Sequence, residues 1–129
     1  MSEPGGAPDR RWPRSVYGTG SEPDPRFSFA NERTFLAWIR TGLGFLAAGV
    51  GISAVARLST GLTLEIRAAS LVLIACGLGC GIGAWSRWAR SERAMREDRP
   101  LPSSPLLVVL VGAVVVVAVI ALVAVSLVR

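Results

Sequence analysis

The chain has 129 residues, 51% of them hydrophobic, a mean hydropathy of +0.49 and a net charge of +5. Its apolar residues form long uncharged runs, which exclude an ordinary water-soluble domain and indicate membrane-spanning helices. All the positive charge is arginine, and the absence of histidine excludes histidine-based catalysis, metal ligation and pH sensing. We therefore predict an all-α integral membrane protein with the lipid bilayer as its first partner, and no cofactor, metal site or nucleic-acid partner.

The N-terminal part of the chain differs sharply in composition from the rest. Residues 1–23 are rich in glycine, proline, serine and charge, which predicts a disordered cytoplasmic tail. A three-span membrane domain is then expected over residues 24–129. Asp24 is a favourable N-cap and Pro25 suits the first helical position. We predict that a helix begins there and enters the membrane as a first span over about 34–56.

One face of this first helix changes from basic to small residues. Arg26, Arg33 and Arg40 recur every seven residues, so they form one stripe on an α-helix. Continued into the membrane, the same stripe carries small residues, which predicts a face packed against protein partners. The packing residues expected on it are Gly44, Ala47 and Gly51.

Two further spans follow. The second is predicted over about 68–85, where Gly77 and Gly81 form a small-xxx-small pair that permits close helix approach. The alternative is chance, because glycine is frequent in membrane helices. Residues 86–105 are polar, with i,i+4 acid–arginine pairs that support a helical extension and prolines that end it. The third span is predicted over about 106–128.

Arginine counts predict the orientation of the three spans. The N-terminal flank to Arg40 carries six arginines and the second loop five, whereas the first loop carries two and the C-terminus one. Positively charged flanks lie preferentially in the cytoplasm. We therefore expect a multi-pass inner-membrane protein with its N-terminus in the cytoplasm and its C-terminus outside.

No arrangement of residues typical of an enzyme is present, and no catalytic activity is expected. What remains is a concentration of arginines on the predicted cytoplasmic face, and guanidinium groups suit recognition of phosphate and carboxylate. The alternative is that these arginines only set the topology and bind anionic lipid headgroups. Glu32 is less easily explained by topology, and we expect it to pair with an arginine of the second loop or of a neighbouring subunit.

The stretch Asn31-Glu-Arg-Thr-Phe-Leu-Ala-Trp38 resembles the signature of the YidH-type domain of unknown function, a bacterial inner-membrane family with three membrane helices. That domain is similar to the membrane part of the eukaryotic vacuolar transporter chaperone, which synthesises and translocates polyphosphate. The resemblance implies a ring of subunits with charged residues at its cytoplasmic mouth. The polyphosphate-sensing and polymerase domains are absent from this chain, so we do not expect it to make polyphosphate. The candidate anion-binding or pore-mouth residues are Glu32, Arg33, Arg40, Arg87, Arg90, Arg93 and Arg99.

Two functions remain open from the sequence. The first is a membrane subunit, in a homo-oligomer or with a similar small membrane protein, whose arginine-rich cytoplasmic face binds phosphate-rich anions. The second is a non-conducting accessory or scaffold protein for another membrane protein or for anionic lipid. A ring with a continuous pore would favour the first, and a closed centre with a specific partner would favour the second.

Overall fold

The computed structural model describes residues 8–59 and 63–127, and within those ranges it contains helices and no strand. Three of the helices are long and apolar enough to cross a membrane, which confirms the predicted all-α membrane fold. A short helix precedes them. The four helices are α1 (Arg14–Tyr17), α2 (Pro25–Ser59), α3 (Leu64–Arg96) and α4 (Leu106–Leu127).

α2 begins where the sequence predicts, at Pro25. The Asp24 carboxylate accepts a hydrogen bond from the Arg26 amide at 2.9 Å, which satisfies one of the free amides of the first turn. α2 has 35 residues and α3 has 33, so each is about 50 Å long, whereas the hydrocarbon core of a bilayer is ~30 Å thick. Both helices therefore extend beyond the hydrocarbon core.

α2 and α3 form an antiparallel hairpin whose backbones approach closely at glycines. A Cβ atom on Gly77 would lie 2.9 Å from the carbonyl oxygen of Gly42. A Cβ atom on Gly49 would lie 2.9 Å from the carbonyl oxygen of Ser70. Because larger side chains at these positions would separate the helices, the glycines set the distance between α2 and α3.

Within one chain, the contact with α3 does not use the predicted packing face of α2, whose packing against a partner stays a prediction. Gly44, Ala47 and Gly51 are exposed, and a Cβ atom on either glycine would meet nothing within 4 Å. Gly81 on α3 has the same open space, whereas Gly77 lies in the contact. The pair at positions 42 and 49 has the same seven-residue spacing as the pair at 44 and 51, so spacing alone does not select the buried face.

α4 has 22 residues, about 33 Å of helix, which matches the thickness of the hydrocarbon core without excess. It meets α3 near its own start, where the Leu106 side chain occupies the space beside Gly83. Most of its apolar side chains are exposed, Val108 at 75% and Val125 at 74%. Such exposure suits a helix surrounded by lipid tails, which are as apolar as the side chains themselves. The predicted third span runs one residue further, to 128, which lies outside the described residues.

Residues 8–23, which we call the N-terminal strap, pack against the end of α3, whereas composition alone predicted a disordered tail over residues 1–23. Val16 in α1 is only 1% exposed. The Trp12 ring lies 5.7 Å from the Trp85 ring, and the Tyr17 ring lies 6.2 Å from the Trp88 ring. Polar composition predicted disorder, but these few apolar and aromatic side chains anchor the segment. Residues 1–7 lie outside the described residues.

The strap is also held at the C-terminal end of α3. The Ser21 amide donates a hydrogen bond of 3.0 Å to the carbonyl oxygen of Arg96, one of the last carbonyls that a helix leaves free. Gly20 has a φ of +61°, and a Cβ atom there would overlap the same carbonyl oxygen. Glycine is required at this position for both reasons.

Candidate functional site

Three of the predicted arginines, Arg90, Arg93 and Arg99, line one cleft of about 490 Å³ at the end of α3. We call it the arginine cleft. Arg90, Arg93 and Arg99 are all exposed, so their side chains are accessible from outside the protein. The other lining residues are Ala94, Pro100 and Pro102.

The chain reversal after α3 places Arg99 in the cleft. Asp98 has a φ of 51°, in the left-handed region. The Arg99 amide donates a hydrogen bond of 2.8 Å to the carbonyl oxygen of Ala94, and the Glu97 amide donates one of 3.0 Å to that of Arg93. The first of these bonds is the long closure of a Schellman motif. Arg99 is thereby folded back along the last turns of α3 rather than continuing along the helix axis.

Positive charge dominates the arginine cleft. No carboxylate is among its described lining residues. Glu97, in the adjoining turn, accepts a hydrogen bond from Arg99 and offsets part of that charge. The Arg90 Nε atom donates to the carbonyl oxygen of Ser86 at 3.2 Å, which holds the guanidinium end of that side chain against α3. The cleft therefore presents several guanidinium N–H donors, an arrangement suited to an anion with several oxygens.

The other predicted site residues do not join this cleft. Arg87 lines a separate groove of about 180 Å³ between α2 and α3. Arg33 and Arg40 are exposed on α2. Glu32 borders a third cavity, of about 260 Å³, and forms no ion pair with an arginine of the second loop among the described residues. The seven predicted site residues therefore lie in four separate places. Only Arg90, Arg93 and Arg99 share one cleft.

A buried carboxylate that the sequence analysis did not assign to a site lies between α2 and α3. Glu92 is 3% exposed. It accepts hydrogen bonds from Ser28 Oγ at 2.8 Å and from Asn31 Nδ2 at 3.3 Å, and Asn31 also donates to the carbonyl oxygen of Trp88 at 3.1 Å. The Arg96 guanidinium, whose side chain is also 3% exposed, lies 3.9 Å from the carboxylate. Glu92 therefore ties α2 to α3 through hydrogen bonds, and its charged contact with Arg96 lies within α3.

The strap supplies the remaining partners of Arg96. Glu22 pairs with Arg96 at 3.2 Å, and the Arg96 guanidinium lies 4.9 Å from the centre of the Tyr17 ring. Hydrogen bonds from Arg11 lower the pKa of Glu22 to about 2, and the Arg11 bonds to Asp9 likewise lower the pKa of that carboxyl to about 2. Burial raises the pKa of Tyr17. Both carboxylates are thus charged at neutral pH. Asp9 pairs with Arg11 within the strap, whereas Glu22 holds the strap to α3 through Arg96.

The sequence indicated only some of the residues in the hydrogen-bond and ion-pair network around Glu92 and Arg96. Asn31 opens the motif that carries the family resemblance, and Glu92 and Arg96 are an i,i+4 pair, which the sequence analysis assigned only to helix extension. Ser28 and Glu22 had no signal, because their partners lie 64 and 74 residues away along the chain. Such pairings depend on the tertiary fold.

The fold and the charged helix ends define the class: a small α-helical membrane protein that crosses the bilayer several times. Residues 26–94 match the family described as "Domain of unknown function (DUF202)". The chain is 52% identical over 91 residues to "Inner membrane protein YidH" of Escherichia coli (strain K12), with 68% of this chain and 77% of the relative covered. It is 46% identical over 88 residues to "Uncharacterized protein Rv2272" of Mycobacterium tuberculosis (strain ATCC 25618 / H37Rv), with 67% and 70% covered.

The chain belongs to the DUF202 family and is a multi-pass inner-membrane protein. The predicted YidH-type resemblance is thereby confirmed. The matched residues include Ser28, Asn31 and Glu92, so the buried carboxylate and its hydrogen-bond donors all lie inside the family domain. No solved structure matches the chain significantly. The likeness to the vacuolar transporter chaperone stays a prediction.

Proposed function

We propose that this protein is a subunit of an oligomeric membrane assembly that binds phosphate-rich anions in the arginine cleft on its cytoplasmic side. The observation that carries the proposal is the convergence of Arg90, Arg93 and Arg99 on one accessible cleft. A guanidinium group donates two parallel hydrogen bonds to a phosphate, and three of them favour an anion with several phosphoryl groups over a single small anion.

The cytoplasmic placement rests on the distribution of arginine. The end of the molecule that holds the arginine cleft and the strap carries eleven of the fourteen arginines, counting the flank to Arg40 and residues 87–99. Loops rich in arginine and lysine are retained in the cytoplasm during insertion. The proposal accordingly puts the N-terminus inside and the C-terminus outside, and it includes no catalytic step, cofactor or metal.

Two features support an assembly. The small-residue stripe of Gly44, Ala47 and Gly51 is exposed on α2, where a second helix could approach closely. The resemblance to the membrane part of the vacuolar transporter chaperone agrees with a ring of subunits around a charged mouth, and its polyphosphate substrate is of the class that the arginine cleft suits.

The test measures binding of inorganic tripolyphosphate to the full-length protein in lipid nanodiscs by calorimetry, at low and high salt. The triple variant Arg90→Gln, Arg93→Gln and Arg99→Gln is compared with the control Arg67→Gln, which removes an exposed arginine at the opposite end of α3. Each charge-assisted contact contributes about 1 kcal/mol at an exposed site. We expect at least a tenfold loss of affinity for the triple variant, less than a twofold change for the control, and weaker binding at high salt.

Two results would contradict the proposal. Equal affinity in the triple variant and the control would remove the arginine cleft as the site. An absence of saturable tripolyphosphate binding, together with recovery of one specific protein partner, would favour the accessory role instead. Electron cryomicroscopy of the same nanodiscs would show whether subunits surround an open or a closed centre.

A further inference from the structure

The cavity beside Glu32 combines one carboxylate with aromatic walls. It has a volume of about 260 Å³ and is lined by Glu32 and Phe35 of α2 and by Trp85 and Trp88 of α3, with Leu36 completing the wall. The Trp85 and Trp88 rings lie 5.3 Å apart, and the Phe35 ring lies 6.5 Å from that of Trp88. We call it the aromatic cavity.

The carboxylate of this cavity has no cation partner among the residues that the structure describes. Glu32 is exposed and makes no hydrogen bond or ion pair within residues 8–59 and 63–127. The described cation–π contacts are both made to Tyr17, whose ring holds Arg11 at 4.7 Å and Arg96 at 4.9 Å. Arginine is abundant at this end of the molecule, yet none of the described arginines makes a cation–π contact with the Trp85 or Trp88 ring.

We infer that the aromatic cavity binds an organic cation of the alkylammonium class. The face of a tryptophan ring is electronegative and attracts a cation within ~6 Å of its centre, and aromatic cages are the usual sites for quaternary ammonium groups. Glu32 adds a carboxylate to the lining, while the rings and Leu36 cover the alkyl substituents. This site is independent of the arginine cleft and has the opposite charge preference.

The lining chemistry disfavours an inorganic cation. Ca²⁺ takes six to eight oxygen ligands and Mg²⁺ keeps an octahedral shell, whereas this cavity offers a single carboxylate among apolar walls. A water molecule occupies ~30 Å³, so a cavity of about 260 Å³ admits a group of several heavy atoms. The ammonium group can belong to a lipid headgroup or to a soluble molecule, and the chemistry of recognition is the same for both.

The experiment titrates the full-length protein with tetramethylammonium chloride against sodium chloride at constant ionic strength. Nanodiscs of phosphatidylglycerol are used, because that lipid carries no ammonium group. Tryptophan emission and saturation transfer to the methyl protons report binding. We expect saturable binding that weakens at least tenfold in Glu32→Gln and severalfold in Trp85→Leu, whose side chain is 43% exposed. Arg33→Gln, which removes the neighbouring exposed charge on α2, is the matched control and should change affinity less than twofold.

Nanodiscs containing phosphatidylethanolamine or phosphatidylcholine separate the two sources of the cation. Weaker apparent affinity for tetramethylammonium in those lipids assigns the cavity to a headgroup, and unchanged affinity assigns it to a soluble cation. The inference is overturned if tetramethylammonium does not bind saturably, or if Glu32→Gln binds it like the wild type. A Glu32→Gln variant that loses its oligomeric state while keeping cation affinity would assign Glu32 to a contact between copies, which also overturns the inference.

Discussion

Replacing Glu92 by alanine should destabilise the hairpin of α2 and α3 more than any other single change at a charged residue. The substitution removes the acceptor for Ser28 Oγ at 2.8 Å and for Asn31 Nδ2 at 3.3 Å. It also leaves Arg96, whose side chain is 3% exposed, without its buried counter-charge. The loss therefore includes both hydrogen bonds and the cost of an incompletely compensated buried cation.

The expected loss of stability in Glu92→Ala depends on which partners the Arg96 guanidinium group keeps. Breaking a buried ion pair by removing one partner costs about 3–5 kcal/mol. Arg96 keeps Glu22 at 3.2 Å and the Tyr17 ring, so the lower end applies. We expect a loss of about 3 kcal/mol, or roughly a hundredfold in the unfolding equilibrium constant. Glu92→Gln, which keeps an acceptor oxygen but no charge, should lie between alanine and the wild type.

The assay is unfolding in mixed micelles with increasing SDS, followed by circular dichroism. Glu65→Ala is the matched control, since it removes an exposed carboxylate from the first turn of the same helix and should cost less than about 1 kcal/mol. If Glu92→Ala unfolds within about 0.5 kcal/mol of Glu65→Ala, the carboxylate does not hold the helices together and the reasoning fails.

Three further predictions concern the helix contact and the strap. Gly42→Leu should lower stability by about 1–3 kcal/mol because its side chain would meet α3, whereas Gly112→Leu, at an exposed position of α4 where a Cβ atom meets nothing within 4 Å, should be tolerated; equal unfolding midpoints would contradict this. Gly20→Ala should release the strap, seen as faster proteolysis of the N-terminus with unchanged helix content. Because the pKa of Glu22 is lowered from 4.5 to about 2, its contribution is complete above pH 4.5 and is lost as the pH falls toward 2. Tryptophan emission should therefore report release of Trp12 only in that acidic range, and release at neutral pH would refute the assignment.

Much of the fold was accessible from the sequence because the membrane imposes strong requirements. A bilayer accepts only helices or closed barrels, so uncharged apolar runs predict the number of spans and their approximate positions. Local chemistry predicted the start of α2 at Asp24 and Pro25 and a helical extension beyond the second span. The prolines were expected to end that extension, and the structure ends it earlier, at Arg96. Each of these features depends on residues close together in the chain.

The features that the sequence did not predict depend on contacts between distant residues. α2 is apolar around much of its circumference, so no polar face indicates that Gly42 rather than Gly44 meets α3. The strap has a composition typical of disorder, and its order comes from Val16 and the aromatic contacts with α3. Glu92 resembles any acid of a solvated helix end until α2 and the strap cover it.

The three-residue spacing of the arginines at the end of α3 lets one helix end perform separate tasks. On an α-helix a step of three residues rotates the side chain by roughly 300°, so successive arginines fan around the axis. Arg87 faces the groove beside α2, Arg90 and Arg93 line the arginine cleft, and Arg96 lies beneath the strap. Only Arg96 is buried, and it alone follows a buried carboxylate, Glu92, by one turn. The arginine cleft and the network that holds the strap therefore lie on different faces of the same helical turns. Substitutions in one of them leave the residues of the other in place.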